Sequence, residues 1–158
     1  MENPVFASVE AVERFMESFN KRDWVEAARQ FSVTYTSHDQ AVQSKTGTPE
    51  EFLRFARGWT EKMPDGMCSD VEYTPADDGI VITRFTWSGT HSGEPFLGYQ
   101  ANGGHASARI CILFTCDSDG LICRGEAFWD LLHYMAELGH LPADVTSGGS
   151  PAVASDRK

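Results

Sequence analysis

The spacing of apolar side chains changes period once along the chain. Val9, Val12, Met16 and Phe19 recur three or four residues apart, with Glu10, Glu13, Arg14 and Glu17 between them, which predicts an amphipathic helix over residues 8–20 with Ser8 as N-cap. Lys21 and Arg22 end it. Asp23 with Glu26 has capping-box spacing and opens a second, short helix that carries Ala27, Ala28 and Phe31. Residues 33–39 read as extended and 40–47 as a polar loop. A third helix starts at Thr48, with Pro49 in the first helical position and Glu51 completing the box; Phe52, Phe55, Ala56, Trp59 and Met63 form its buried stripe, and Pro64-Asp65-Gly66 stops it.

From Cys68 onward the alternation is that of strands. Residues 71–74 form a short strand, Asp77-Asp78-Gly79 a hairpin turn, and residues 80–90 a long strand with Val81, Phe85 and Trp87 on one face. A glycine-rich loop over 92–104 carries Phe96, Leu97 and Tyr99. Residues 106–116 and 121–129 make a further hairpin around Asp117-Ser118-Asp119-Gly120. Asp130 caps a last helix that buries Leu131, Leu132, Met135 and Leu138 and ends at Gly139. The tail, 143–158, is small and polar and is expected to be disordered. Three helices, an antiparallel meander of about four strands and a closing helix describe one α+β domain over residues 6–142.

Composition narrows the partners. Of 158 residues 41% are hydrophobic, enough for one cored domain, and the formal net charge is -10. That charge argues against a nucleic-acid partner or an anionic lipid surface. No apolar stretch approaches membrane-spanning length, and the first residues lack the pattern of a secretory signal, so the expected location is cytoplasmic. Cys68, Cys111, Cys116 and Cys123 form no C-x-x-C pair, so neither a zinc site nor a disulfide framework is expected.

Four stretches carry a family resemblance: residues 15–31 (FMESFNKRDWVEAARQF), 89–98 (GTHSGEPFLG), 119–122 (DGLI) and 129–139 (WDLLHYMAELG). In this order and spacing the chain resembles the SnoaL-like polyketide cyclases, within the nuclear-transport-factor-2-like superfamily. The resemblance implies a cone of three helices on a curved antiparallel sheet with a short C-terminal helix. It also implies an internal pocket for a hydrophobic small molecule, no cofactor, and often a homodimer built across the sheet. Cyclases of the family close rings by acid–base aldol chemistry. Relatives hydrolyse epoxides, isomerise ketosteroids or bind ligands, so the fold alone does not name the reaction.

The match also shows a departure. The cyclases place their acid–base aspartate three residues before the aspartate that opens the last helix, and here that position is Ala127. The polar pair of the preceding strand falls near residues 110–113, which are apolar. By the same match Ala127 and Trp129 line the cavity from the final strand, together with Leu121, Cys123 and Gly125, unless a bulge swaps the faces.

The remaining proton carriers are His38, Asp130 and His91. His38 lies where the family has a ligand-contacting polar residue, and an imidazole exchanges protons near neutral pH; neighbouring Asp39 could orient it, although adjacent residues of a strand point opposite ways. Asp130 is a base candidate and equally a helix cap. His91 stands at the cavity rim or braces the loop. Trp59, Trp87, Tyr99 and Trp129 supply flat surfaces for a hydrophobic ligand or simply core. Arg109, Arg124 and Glu126 suggest either a water-activating array like that of the epoxide hydrolases or ordinary cross-strand pairing.

Overall fold

The computed structural model describes residues 4–146. Helix α1 (Pro4–Lys21) starts four residues before Ser8, and α2 (Trp24–Ala28) is capped as expected, Asp23 Oδ1 accepting from Glu26 N at 3.0 Å. Strand β1 (Phe31–Asp39) follows. The segment expected as a polar loop contains a short edge strand, β2 (Ser44–Thr46), which pairs antiparallel with the end of β1. Helix α3 (Pro49–Lys62) begins on the Thr48 cap, with Glu51 N donating to Thr48 Oγ1 at 3.2 Å.

Strand β3 (Met67–Pro75) is longer than expected because a bulge near Asp70, which has φ 49°, lets it pass the register shift and keep pairing. Then come β4 (Ile80–Thr90), β5 (His105–Cys116), β6 (Ile122–Phe128) and α4 (Leu131–Glu137). After Pro142, residues 143–145 make one 3-10 turn; the rest of the tail expected to be disordered lies outside the described residues.

The six strands form one curved, unclosed sheet in the order β2-β1-β6-β5-β4-β3, with the helices packed on its inner face. The meander is antiparallel, as expected. The extended segment joins it as β1, which lies parallel to β6. This pairing brings the first third of the chain beside its last strand, and hydrophobic periodicity does not reveal such a long-range neighbour.

Inward positions alternate cleanly along β4 and β5: Val81, Thr83, Phe85 and Trp87 are buried on one strand, Ala106, Ala108, Phe114 and Cys116 on the other. On β6 the ladder skips at Cys123, since Thr115 pairs Arg124 while Cys116 pairs Ile122. The bulge corrects the expected face at that end: Ile122, not Leu121, is fully buried, whereas Gly125, Ala127 and Trp129 keep the inward face.

Two aromatic clusters fill the interior. One surrounds Phe15 of α1, whose ring lies 5.0–5.8 Å from those of Phe31, Phe52 and Phe114. The other surrounds Trp59 of α3, 5.5 Å from Trp129, 6.2 Å from Trp87 and 5.1 Å from Phe96. Phe96 anchors the loop between β4 and β5. That loop is also held at Gly93, whose N–H donates to Lys62 O at 3.0 Å and where an added Cβ would run into the Glu61 carbonyl. A glycine is required there because two backbones meet.

Candidate active site

Between the two clusters lies a cavity of about 100 Å³. Its wall is almost entirely aromatic and aliphatic: Phe15, Phe19, Phe52, Phe55, Trp59, Phe85, Trp87, Ile110, Ile112, Ala127 and Trp129 all border it. Ile110, Ile112 and Ala127 all face this cavity. For scale, a dry cavity of about 150 Å³ accepts benzene, and drug-sized sites run to roughly 300–1,000 Å³. The space suits about one ring.

The polar groups come from β1. Tyr35, Ser37 and Asp39 occupy alternate positions of one strand and so share one face. Pairing fixes that face as the inner one, because Ser37 lies opposite Gly125 and Asp39 opposite Ala127. Ser37 Oγ is bonded to Thr46 Oγ1 at 2.5 Å. Asp39 is 7% exposed. Its Oδ1 accepts from Ala41 N at 2.9 Å, Val42 N at 3.3 Å and Trp129 Nε1 at 3.0 Å. Its Oδ2 shares only the Trp129 proton, at 3.1 Å, and so keeps lone-pair capacity. No Lys or Arg borders this carboxylate's cavity.

Of the residues singled out in the sequence, Trp59, Trp87, Ala127 and Trp129 come together on the wall. His38 borders the cavity too, but in register it stands with Lys45 and Glu126, on the opposite side of β1 from Asp39. Gln40 Nε2 donates to its Nδ1 at 2.9 Å, which leaves the proton on Nε2, a buried atom with no partner.

Asp130 lies away from the cavity: it is exposed and caps α4, Oδ1 accepting from His133 N at 2.9 Å. Arg109, Arg124 and Glu126 sit on the outer face of the sheet, Arg109 paired with Glu72 at 3.3 Å, so they form no array around the cavity. Asp39 was the residue sequence reasoning passed over. Its signal was present as the alternation Tyr35, Ser37, Asp39, but which side of β1 faces inward depends on pairing with β6.

His91 is fully buried yet does not border the cavity. Its Nε2 donates to Glu94 O at 2.8 Å, so its Nδ1 accepts from His140 Nε2 at 2.7 Å, and Tyr99 stacks on His140 at 4.9 Å. The three rings latch the β4–β5 loop to the end of α4, which places Tyr99 outside the ligand wall. Burial first, then the neighbouring His91, hold the His140 imidazole below its ordinary 6.5. The unfolded chain therefore binds that proton more readily, and the latch adds stability above pH 6.5 that is lost as pH falls through the folded value. Thermal scans should show the midpoint falling on acidification below pH 6.5, with a smaller slope in His140→Gln; equal slopes would remove the latch from the pH response.

Sequence and structure comparisons agree with this architecture. The family model for SnoaL-like polyketide cyclases matches residues 9–138. No curated protein matches the chain. A candidate SnoaL-like polyketide cyclase from Jannaschia sp. CCS1 superposes with a TM-score of 0.77 at 24% identity, covering 90% of this chain and 99% of that one. A candidate polyketide cyclase from Xanthomonas campestris gives 0.76 at 18% identity, with coverage of 86% and 99%. TsrD from Streptomyces laurentii gives 0.73 at 26% identity, with coverage of 85% and 97%. Among the described residues no helix is long and apolar enough to cross a membrane. With the family match spanning most of its length and the helices, sheet and cavity arranged accordingly, the chain belongs to the SnoaL-like polyketide cyclase family.

Proposed function

We propose that the protein is a cofactor-independent cyclase or isomerase that moves a proton on a hydrophobic polyketide- or terpenoid-type intermediate, with Asp39 as the proton carrier. The observation that supports this reading is a buried carboxylate on the wall of an aromatic cavity, one of whose oxygens accepts only the shared Trp129 proton. With Ala127 unable to take a proton, Asp39 is the carboxylate left at the wall. The same low-polarity surroundings strengthen its interaction with charge developing on a bound ketone. The Trp129 and turn N–H groups hold it still, so it acts as a fixed base toward an activated carbon. His38, with its buried Nε2, is the second group at this wall able to carry a proton. At about 100 Å³ the cavity takes the reacting ring rather than a whole polycycle.

Ala127 also favours a second reading, a hydrophobic-ligand-binding module without turnover. A ketone in D2O separates the two. A base at Asp39 removes an α-proton from bound cyclohexanone, the electron pair passes to the carbonyl oxygen, and solvent returns deuterium to carbon. Exchange followed by NMR that depends on Asp39 supports the enzyme; binding of the ketone with no exchange above buffer supports the module.

We further infer a homodimer through the outer face of the sheet. Phe128 is 42% exposed there, opposite half-buried Cys111, and the Glu72–Arg84 pair at 2.6 Å frames the patch. Sedimentation should give the mass of two chains, reduced to one by Phe128→Lys; a single-chain mass for the unaltered protein overturns the inference.

A further inference from the structure

Tyr35 is fully buried, and no hydrogen bond of good geometry satisfies its hydroxyl, although Ser37 lies near enough to pull on it. Its polar neighbour Ser37 is committed to Thr46. A buried phenol usually finds an acceptor, because leaving the O–H unpaired costs the desolvation that folding imposed. The hydroxyl also lies against Gly125 of β6, where an added Cβ would collide with it and come within 3.4 Å of the Phe114 ring. Gly125 therefore lets the hydroxyl pack directly against β6, where any side chain would displace it.

We propose that the Tyr35 hydroxyl is the anchoring donor of the cavity, and that the ligand presents an uncharged acceptor oxygen, a ketone or lactone carbonyl, to it beside Gly125. This deepens the acid–base reading and rests on the same cavity. Two further features fix the ligand's chemistry. Burial, opposed by the nearby Ser37 hydroxyl, pushes the Tyr35 phenol well above its ordinary value, so the group donates and does not ionise. The carboxylate of Asp39, on the same face of β1, disfavours an anionic ligand. A neutral carbonyl satisfies both. Tyr35 and Asp39 lie on the same face of β1, so the donor and the carboxylate border one cavity from a single strand.

The test compares cyclohexanone with methylenecyclohexane, which differ in the acceptor oxygen alone, by NMR titration of the full chain. The unaltered protein should prefer the ketone, and Tyr35→Phe should weaken ketone binding about tenfold while leaving the hydrocarbon unchanged. The apo form of Tyr35→Phe should melt at the same temperature or about 2–4 °C higher, since an unpaired buried hydroxyl has been removed. Gly125→Ala, which crowds the hydroxyl without deleting it, should also lower the preference for the ketone. Equal loss of both probes in Tyr35→Phe, or no loss of either, overturns the proposal. If Asp39-dependent proton exchange persists while the ketone preference is absent, the anchor alone fails. If the preference depends on Tyr35 but no exchange occurs, the acid–base reading alone fails.

Discussion

Replacing Asp39 with Asn should lower α-proton exchange or turnover by at least about a hundredfold while ketone binding changes little. General acid–base groups contribute roughly 10²–10⁴-fold, and an amide has no proton affinity to replace the carboxylate's. Asn keeps the shape and a carbonyl oxygen that can accept from Ala41 N and Trp129 Nε1, so it separates the loss of the base from the loss of the scaffold. Asp39→Ala is the contrasting variant. It leaves the turn N–H groups of residues 41 and 42 and the Trp129 indole without their acceptor, and a fall in thermal midpoint should accompany its loss of activity. If Asp39→Asn retains full exchange, proton transfer belongs to another group, and His38 is the next to alter.

The largest effect on stability is expected at Phe15. Its ring is 3% exposed and meets Phe19, Phe31, Phe52 and Phe114 at centroid distances of 5.0–6.4 Å, which joins α1 to β1, α3 and β5 at one point. Truncation of a buried Phe to Ala costs about 3–5 kcal/mol, a transfer loss plus the cavity left behind. Domains of this size are stable by about 5–15 kcal/mol, so one substitution removes a large part of the margin. Urea unfolding of Phe15→Ala should show a much lower midpoint with an unchanged slope. Phe15 also borders the ligand space, so the variant enlarges it. A loss below about 1 kcal/mol would mean that α1 or the facing rings collapse into the gap.

The starts of α2, α3 and α4 were legible in the sequence because capping is local chemistry, whereas α1 begins at Pro4, ahead of the expected Ser8 cap. Asp23, Thr48 and Asp130 each cap the helix expected of them. Asp130 shows the limit of such reading: the same carboxylate was both a cap and a base candidate, and only its exposed position beside α4 separates it from the cavity. The inward placement of Ala127 and Trp129 rested on the family resemblance. The long strand over residues 80–90, with Phe85 and Trp87 on one face, was visible directly, since alternation along one strand is a property of that strand. The bulge at Cys123 was not, because it exists only relative to a partner, and it moved Ile122 inward in place of Leu121.

The histidines illustrate the same boundary. His91 and His140 are 49 positions apart, and no periodicity joins them, yet they meet at 2.7 Å and close a loop. His38 and Asp39 are adjacent; the family resemblance pointed to His38, while alternation alone does not say which of the two faces inward. The pairing of β1 with β6 decides it, by setting Asp39 against Ala127 and His38 against Glu126.

Alone, the order of residues determined most element types, the caps of α2, α3 and α4 and the family, all of which depend on near neighbours or on a pattern read along one segment. The tertiary structure decided which side of β1 looks inward, that the interior is narrowed by tryptophans to about the volume of one ring, and that β1 brings Tyr35, Ser37, His38 and Asp39 to its wall. Those outcomes depend on contacts between distant segments. A strand has two equivalent faces until a partner makes one of them the interior.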